Sequence, residues 1–104
     1  MPQPLSVEIR RSGSTIHVEL AGTLDAEGAA RVRAHLKPAL KDSPDRVVLN
    51  LQAVAYVDQS GIDALVHAGR VAQRLGGRLV LDQCPEQVSR LLTALGHDRL
   101  LARS

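Results

Sequence analysis

Between Val47 and Asp82 the apolar residues change their period twice, and this alternation limits the fold more than any other feature of the chain. The run RVVLNLQAVAYV is nearly continuous in Val, Leu and Ala, which predicts a strand buried on both faces. Ile62, Leu65, Val66, Gly69, Ala72 and Leu75 then recur at three-and-four spacing, with Asp63, His67, Arg70 and Arg74 on the opposite side. That pattern predicts an amphipathic helix with its apolar stripe turned inward. Gly76-Gly77 closes it, and RLVLD supplies another buried strand. Strand 47–51, helix 60–75 and strand 78–82 therefore make a βαβ unit, whose strands run parallel because the helix carries the chain back across the sheet.

The flanking segments complete a small α/β domain. Leu5, Val7 and Ile9 alternate with polar residues, Ser12-Gly13-Ser14 turns the chain, and Ile16, Val18 and Leu20 alternate again, as in a hairpin with one wet face. Gly22 is expected to break that strand, and Asp25 to cap a helix with Ala29, Val32, Leu36 and Leu40 inward. Pro38 should kink or end this helix, since its ring removes a hydrogen bond and crowds the preceding turn. Pro85 opens a third helix, with Val88, Leu91, Leu92 and Leu95 as its inward stripe and Gly96 as its stop. The expected fold is a single domain over residues 1–104, a small mixed sheet packed with amphipathic helices, with no linker or internal repeat.

Composition removes several function classes. The balance of 13 basic and 11 acidic residues gives a net charge of +2, and the arginines never form a run, which reads as a solvated surface. Tyr56 is the only aromatic residue, so there is almost nothing on which nucleic-acid bases could stack. No apolar stretch approaches the roughly 20 residues of a membrane span, and MPQPLSVEIRR lacks a secretory apolar core, so no membrane insertion and a cytoplasmic location are expected. The single cysteine, Cys84, fits a reducing compartment. His17, His35, His67 and His97 lack close metal-ligand spacing, and no phosphate-cradling loop or nucleophile elbow occurs, so neither metal, cofactor nor catalytic residue is expected. Asp82 and Cys84 could form a reactive pair at a strand end, but nothing adjacent would activate the thiol.

What remains is YVDQSG, Tyr56 to Gly61, three polar residues and a glycine at the seam between a buried strand and a helix. Ser60-Gly61-Ile62-Asp63 fits the capping pattern [ST]-x-x-[DE], so Ser60 is a candidate helix cap. The same hydroxyl lies at the positive end of the helix dipole, where an added phosphoryl group is tolerated. With Asp58 and Asp63 close by, a phosphate would create a dense negative patch and displace a partner without unfolding the domain. Gly61 either eases the turn or lets another protein's backbone approach.

The segment from VVLNLQAVAYVDQSGIDALV to LGHDRLL resembles the STAS domain of bacterial anti-sigma-factor antagonists, in which a Val- and Leu-rich strand leads into Asp-Ser/Thr-Ser/Thr-Gly-Leu/Ile and a helix. Upstream, VELAGTLDAEGAARVRAHL is similar to the family's strand ending in Gly-x-Leu/Ile-Asp, and together the matches span residues 7–101. The resemblance implies that Ser60 is the position phosphorylated by the partner, an anti-sigma factor with an ATP-binding serine kinase domain. The unphosphorylated form would bind that partner and free the sigma factor, phosphorylation would end the binding, and a phosphatase would restore it. By the same match Asp58, Gly61 and Ile62 flank the phosphosite, and Gly22 with Asp25 forms the neighbouring loop. Gln59 departs from the family's usual Ser or Thr, which implies altered local hydrogen bonding or partner choice, and Pro38 bears on the surface beside Asp25. The alternative is a constitutive STAS adaptor, in a signalling scaffold or an ABC-type lipid transport system, in which Ser60 only caps the helix and packs against the partner.

Overall fold

The computed structural model describes residues 3–101. Its elements are β1 (Ser6–Ser12), β2 (Thr15–Leu24), α1 (Ala26–Leu40), β3 (Arg46–Val57), α2 (Gln59–Arg74), β4 (Arg78–Asp82) and α3 (Glu86–Ala94), followed by a 3-10 turn at Asp98–Leu100 that sequence periodicity does not reveal. The strands form one sheet in the order β1-β2-β3-β4. β1 pairs antiparallel with β2 through the Gly13-Ser14 turn, whereas β2, β3 and β4 are mutually parallel, so the expected mixed sheet and βαβ unit are both present.

Register places the core. Ile16 faces Val47, Val18 faces Leu49, and these in turn face Leu79 and Leu81, so one side of the sheet is a continuous apolar layer. Val32, Leu36 and Leu40 of α1, Ile62, Leu65 and Ala68 of α2, and Val88 and Leu92 of α3 join it in one cluster. The other side carries Glu8, Arg10, His17 and Glu19, which confirms the wet face of the hairpin. β4 is buried at three successive positions, Leu79, Val80 and Leu81, as its sequence predicts.

β3 corrects the expectation of a strand buried on both faces. Val47, Leu49, Leu51 and Val54 are buried, but Gln52, Ala53, Ala55 and Tyr56 are exposed. Val48 is half-buried on the opposite face in the regular half of the strand, and beyond Asn50 the strand bulges. β3 spends 12 residues alongside the 10 of β2, with register shifts between Glu19 and Ala21 and between Gly22 and Thr23. Each extra residue moves the inward phase by one, so apolar residues follow one another without two buried faces.

Gly22 also differs from expectation. It does not end β2 but sits at the second shift with φ +109°, and a Cβ there would lie 2.7 Å from the Pro4 carbonyl oxygen. Only glycine fits such a positive-φ bulge lying under another backbone. Pro38 falls in the last turn of α1, which ends at Leu40, so it ends the helix without breaking it. Pro85 is the cap residue of α3 and not its first helical residue. Leu75, Leu91 and Leu95 are exposed, so the inward stripes of α2 and α3 are narrower than periodicity alone indicates. Both helices stop as expected at glycine. In α2 the Gly77 N–H donates to the Ala72 carbonyl and the Gly76 N–H to that of Gln73, and in α3 the His97 N–H donates to the Leu92 carbonyl and the Gly96 N–H to that of Thr93.

Candidate functional site

The last rung between β2 and β3 pairs Leu24 with Val57, so the two strands end level with each other. The next residue in each case is an aspartate at a helix N-terminus. Asp25 accepts from the Gly28 N–H at 2.9 Å, and Asp58 accepts from the Gly61 N–H at 3.1 Å. The chain uses one Asp-x-x-Gly device twice, side by side, and the two caps are joined by a bond from the Asp58 N–H to the Leu24 carbonyl at 3.2 Å.

The two glycines explain why the pieces fit so closely. A Cβ on Gly28 would meet the Thr23 carbonyl oxygen at 2.5 Å, and one on Gly61 would strike the Leu24 carbonyl oxygen and lie 2.7 Å from Leu24 Cγ. Gly61 thus admits the backbone of its own β2. Ile62 is likewise inward, 1% exposed, and anchors α2 in the core. Gly61 and Ile62 build the edge; they do not face out of it. Gly22 is part-buried beside it, where its bulge lets the residues around Pro4 pass over the strand.

The cap of α2 is Asp58 and not Ser60. Ser60 is the second residue of the helix, part-exposed, and its hydroxyl has no capping duty. Gln59 is exposed and its amide donates to Asp63 Oδ1 at 2.9 Å, one turn along the helix. The residue that departs from the family pattern therefore ties down one of the two carboxylates that flank Ser60. Asp25 and Asp58 cap α1 and α2, Glu27 lies in the first turn of α1 and Asp63 at the start of the second turn of α2, so the edge is acidic, a sign that both helix dipoles favour there.

Tyr56 opens the YVDQSG seam, but the sequence assigns it no role in contact; it is 58% exposed at the end of β3, next to this edge. A chain's only aromatic residue placed at its most polar seam was the available signal. His67 and His97, remote in sequence, line one shallow hollow with Gln59, Asp63, Arg70 and Leu95 beside α2. Among the described residues no three His, Cys, Asp or Glu side chains gather as metal ligands. Cys84 is part-buried, and its desolvation pushes the thiol from 9.0 up to about 11, so it is less reactive than an ordinary cysteine. No helix among the described residues is long and apolar enough to cross a membrane.

Comparison with known proteins places this edge in context. The family model described as "Mlab, STAS domain" matches residues 7–102. An anti-sigma-B factor antagonist of Bacillus subtilis (strain 168) is 27% identical over 92 residues, spanning 88% of this chain and 84% of that protein. The anti-sigma factor antagonist SpoIIAA in its unphosphorylated form has the same fold, with a TM-score of 0.82 at 18% identity over 95% of this chain and 88% of that one. The phosphorylated form of SpoIIAA, a Bacillus cell fate determinant, gives 0.79 at 17% identity over 95% and 91%. A match running from β1 through the 3-10 turn, carried on the same four-stranded mixed sheet with three helices, means that the chain belongs to the STAS domain family.

Proposed function

We propose that this chain is an anti-sigma-factor antagonist that acts in the cytoplasm by binding and not by catalysis. With Ser60 unmodified, the edge where β2 and β3 end binds an anti-sigma factor and frees the sigma factor. Phosphorylation of Ser60 by that partner's ATP-binding serine kinase domain ends the binding, and a phosphatase restores it. Asp58, Gln59, Asp63, Asp25 and Tyr56 form the contact surface, while Gly22, Gly61 and Ile62 hold its shape.

The observation that carries this reading is the division of labour at the start of α2. Asp58 accepts the capping hydrogen bond, which leaves the part-exposed Ser60 hydroxyl available as a phosphoacceptor without loss of the cap. A phosphoryl group there adds about −1.5 to −2 charge at a helix N-terminus, a position that tolerates it. The likeness of this backbone to SpoIIAA in both its unphosphorylated and phosphorylated forms supports a switch that leaves the fold unchanged. The relative from Bacillus subtilis, named an anti-sigma-B factor antagonist, supports the class of partner.

The test is a pull-down from the native cell with the unmodified chain and its Ser60→Glu variant as baits, bound proteins being identified by mass spectrometry. An ATP-binding anti-sigma factor is recovered by the first bait and lost with the second. Recovery of transporter or scaffold subunits by both baits alike would overturn the switch and make the edge a constitutive docking surface.

A further inference from the structure

Arg33, Lys37 and Lys41 recur every fourth residue along α1, so one edge of that helix carries a stripe of cations. Lys41, the residue that ends the helix, keeps right-handed helical geometry, so the stripe is unbroken to its last member. None of the three pairs with a carboxylate among the described residues. Two nearby acids are committed elsewhere, Asp42 to Arg11 at 3.0 Å and Glu27 to Arg31 at 3.9 Å, and exposed Asp45, four residues past Lys41, pairs with none of the three.

The stripe borders an open groove of about 810 Å³ between α1 and α2. Leu36, Ala68, Val71 and Leu75 give it an apolar floor, and Leu75 is 42% exposed at its mouth. His67 stands on the α2 side, and among the described residues neither Asp nor Glu lines the groove. The groove follows the middle and C-terminal parts of both helices, whereas Ser60 lies in the first turn of α2.

We propose that this groove docks an amphipathic helix of a partner protein, with the helix's apolar face on the floor and its acidic residues against Arg33, Lys37 and Lys41. The seam between two packed helices is a natural seat for a third, whose side-chain ridges fit between theirs. The apolar floor alone would accept any hydrophobic segment; the unpaired cations select an acidic one and repel a basic one. The stripe from Arg33 to Lys41 is roughly 12 Å long at the helical rise, which matches about two turns of a facing helix with Asp or Glu at i and i+4. The open shape suits a helix better than a single acyl chain, which small-molecule sites enclose on most sides.

The proposal is tested by titrating the isotope-labelled full chain with a synthetic amphipathic helical peptide that has Leu on one face and Glu along its flank, following backbone amide shifts by NMR. A counterpart with Lys in place of each Glu is titrated in parallel. The expected result is shifts confined to residues 32–41 and 64–75, at least about tenfold tighter binding of the Glu peptide, and reversal of that preference in the Lys37→Glu, Lys41→Glu double variant. Because the peptide swap is made on the unmodified chain, the result does not hinge on how the variant folds. Equal affinity for the two peptides, shifts elsewhere on the molecule, or no shifts up to about 1 mM peptide would overturn the proposal. Co-sedimentation with phosphatidylglycerol vesicles, lost in the double variant and without peptide binding, would assign the stripe to a lipid surface instead.

Discussion

Asp58 and Ser60 both stand at the start of α2 and carry separate duties, which single substitutions can pull apart. Asp58→Ala removes the bond to the Gly61 N–H and should cost about 1 kcal/mol of stability. Ser60→Ala removes no capping bond and puts a better helix former in the first turn, so urea unfolding should show it within about 0.5 kcal/mol of the unmodified chain. If Ser60→Ala were the more damaging of the two, the assignment of the cap would be wrong. Gly61→Ala is the severe change at this edge, since its methyl group strikes the Leu24 carbonyl; a loss of about 1–3 kcal/mol is expected. Tyr56→Ala should leave stability nearly unchanged and, if the edge binds an anti-sigma factor as proposed, weaken that binding by tenfold or more, because an exposed aromatic is the usual form of an interface anchor. The thiol of Cys84, held up to about 11 by desolvation, stays protonated through neutral pH. Its alkylation by iodoacetamide should be slow at pH 8 and keep rising about tenfold per pH unit, levelling off only near pH 11 where an ordinary cysteine levels off near 9.

At the scale of elements, the βαβ unit and the hairpin were legible because their apolar periods are those of a parallel crossover and a one-sided antiparallel pair. The bulges of β3 were not. Periodicity assumes that an unbroken apolar run means two buried faces, and it has no term for an extra residue that resets the phase. The doubled cap was half legible: Asp25 was identified from its position, but the pattern S-G-I-D drew the second cap to Ser60 although Asp58, spaced from Gly61 as Asp25 is from Gly28, does the same work. The stripe Arg33, Lys37, Lys41 was hidden because cations four apart never form a run, yet a helix gathers them on one face. The irregular half of β3 makes its own prediction. In native-state hydrogen exchange, the amides of Val47 to Asn50, in regular pairing with both neighbours, should open only with global unfolding, while those of Leu51 to Tyr56, beyond the end of the β4 pairing and across the register shifts, should exchange faster.

Across the whole molecule the small net charge of +2 conceals a separation of sign. Both helices set out from the same edge of the sheet, with Asp25, Glu27, Asp58 and Asp63 at or near their N-terminal ends and Lys37, Lys41, Arg70 and Arg74 towards or at their C-terminal ends. Under the proposed function, a kinase partner at the acidic edge would bring the phosphates of its ATP towards Ser60, so a phosphoryl group or a glutamate at that position would add like charge where like charge already meets. If repulsion is what releases the partner, the affinity gap between the unmodified chain and Ser60→Glu depends on screening. The Debye length falls from about 10 Å at 0.1 M salt to about 3 Å at 1 M, so the gap should shrink severalfold between about 0.05 M and 0.5 M salt in titration calorimetry with the purified anti-sigma factor. A gap that is large at both salt concentrations would show that the added group acts by bulk and not by charge. The Ser60→Gln variant, nearly the same size as Ser60→Glu without its charge, decides the point: it should keep most of the affinity if charge is the switch, and lose it if space is.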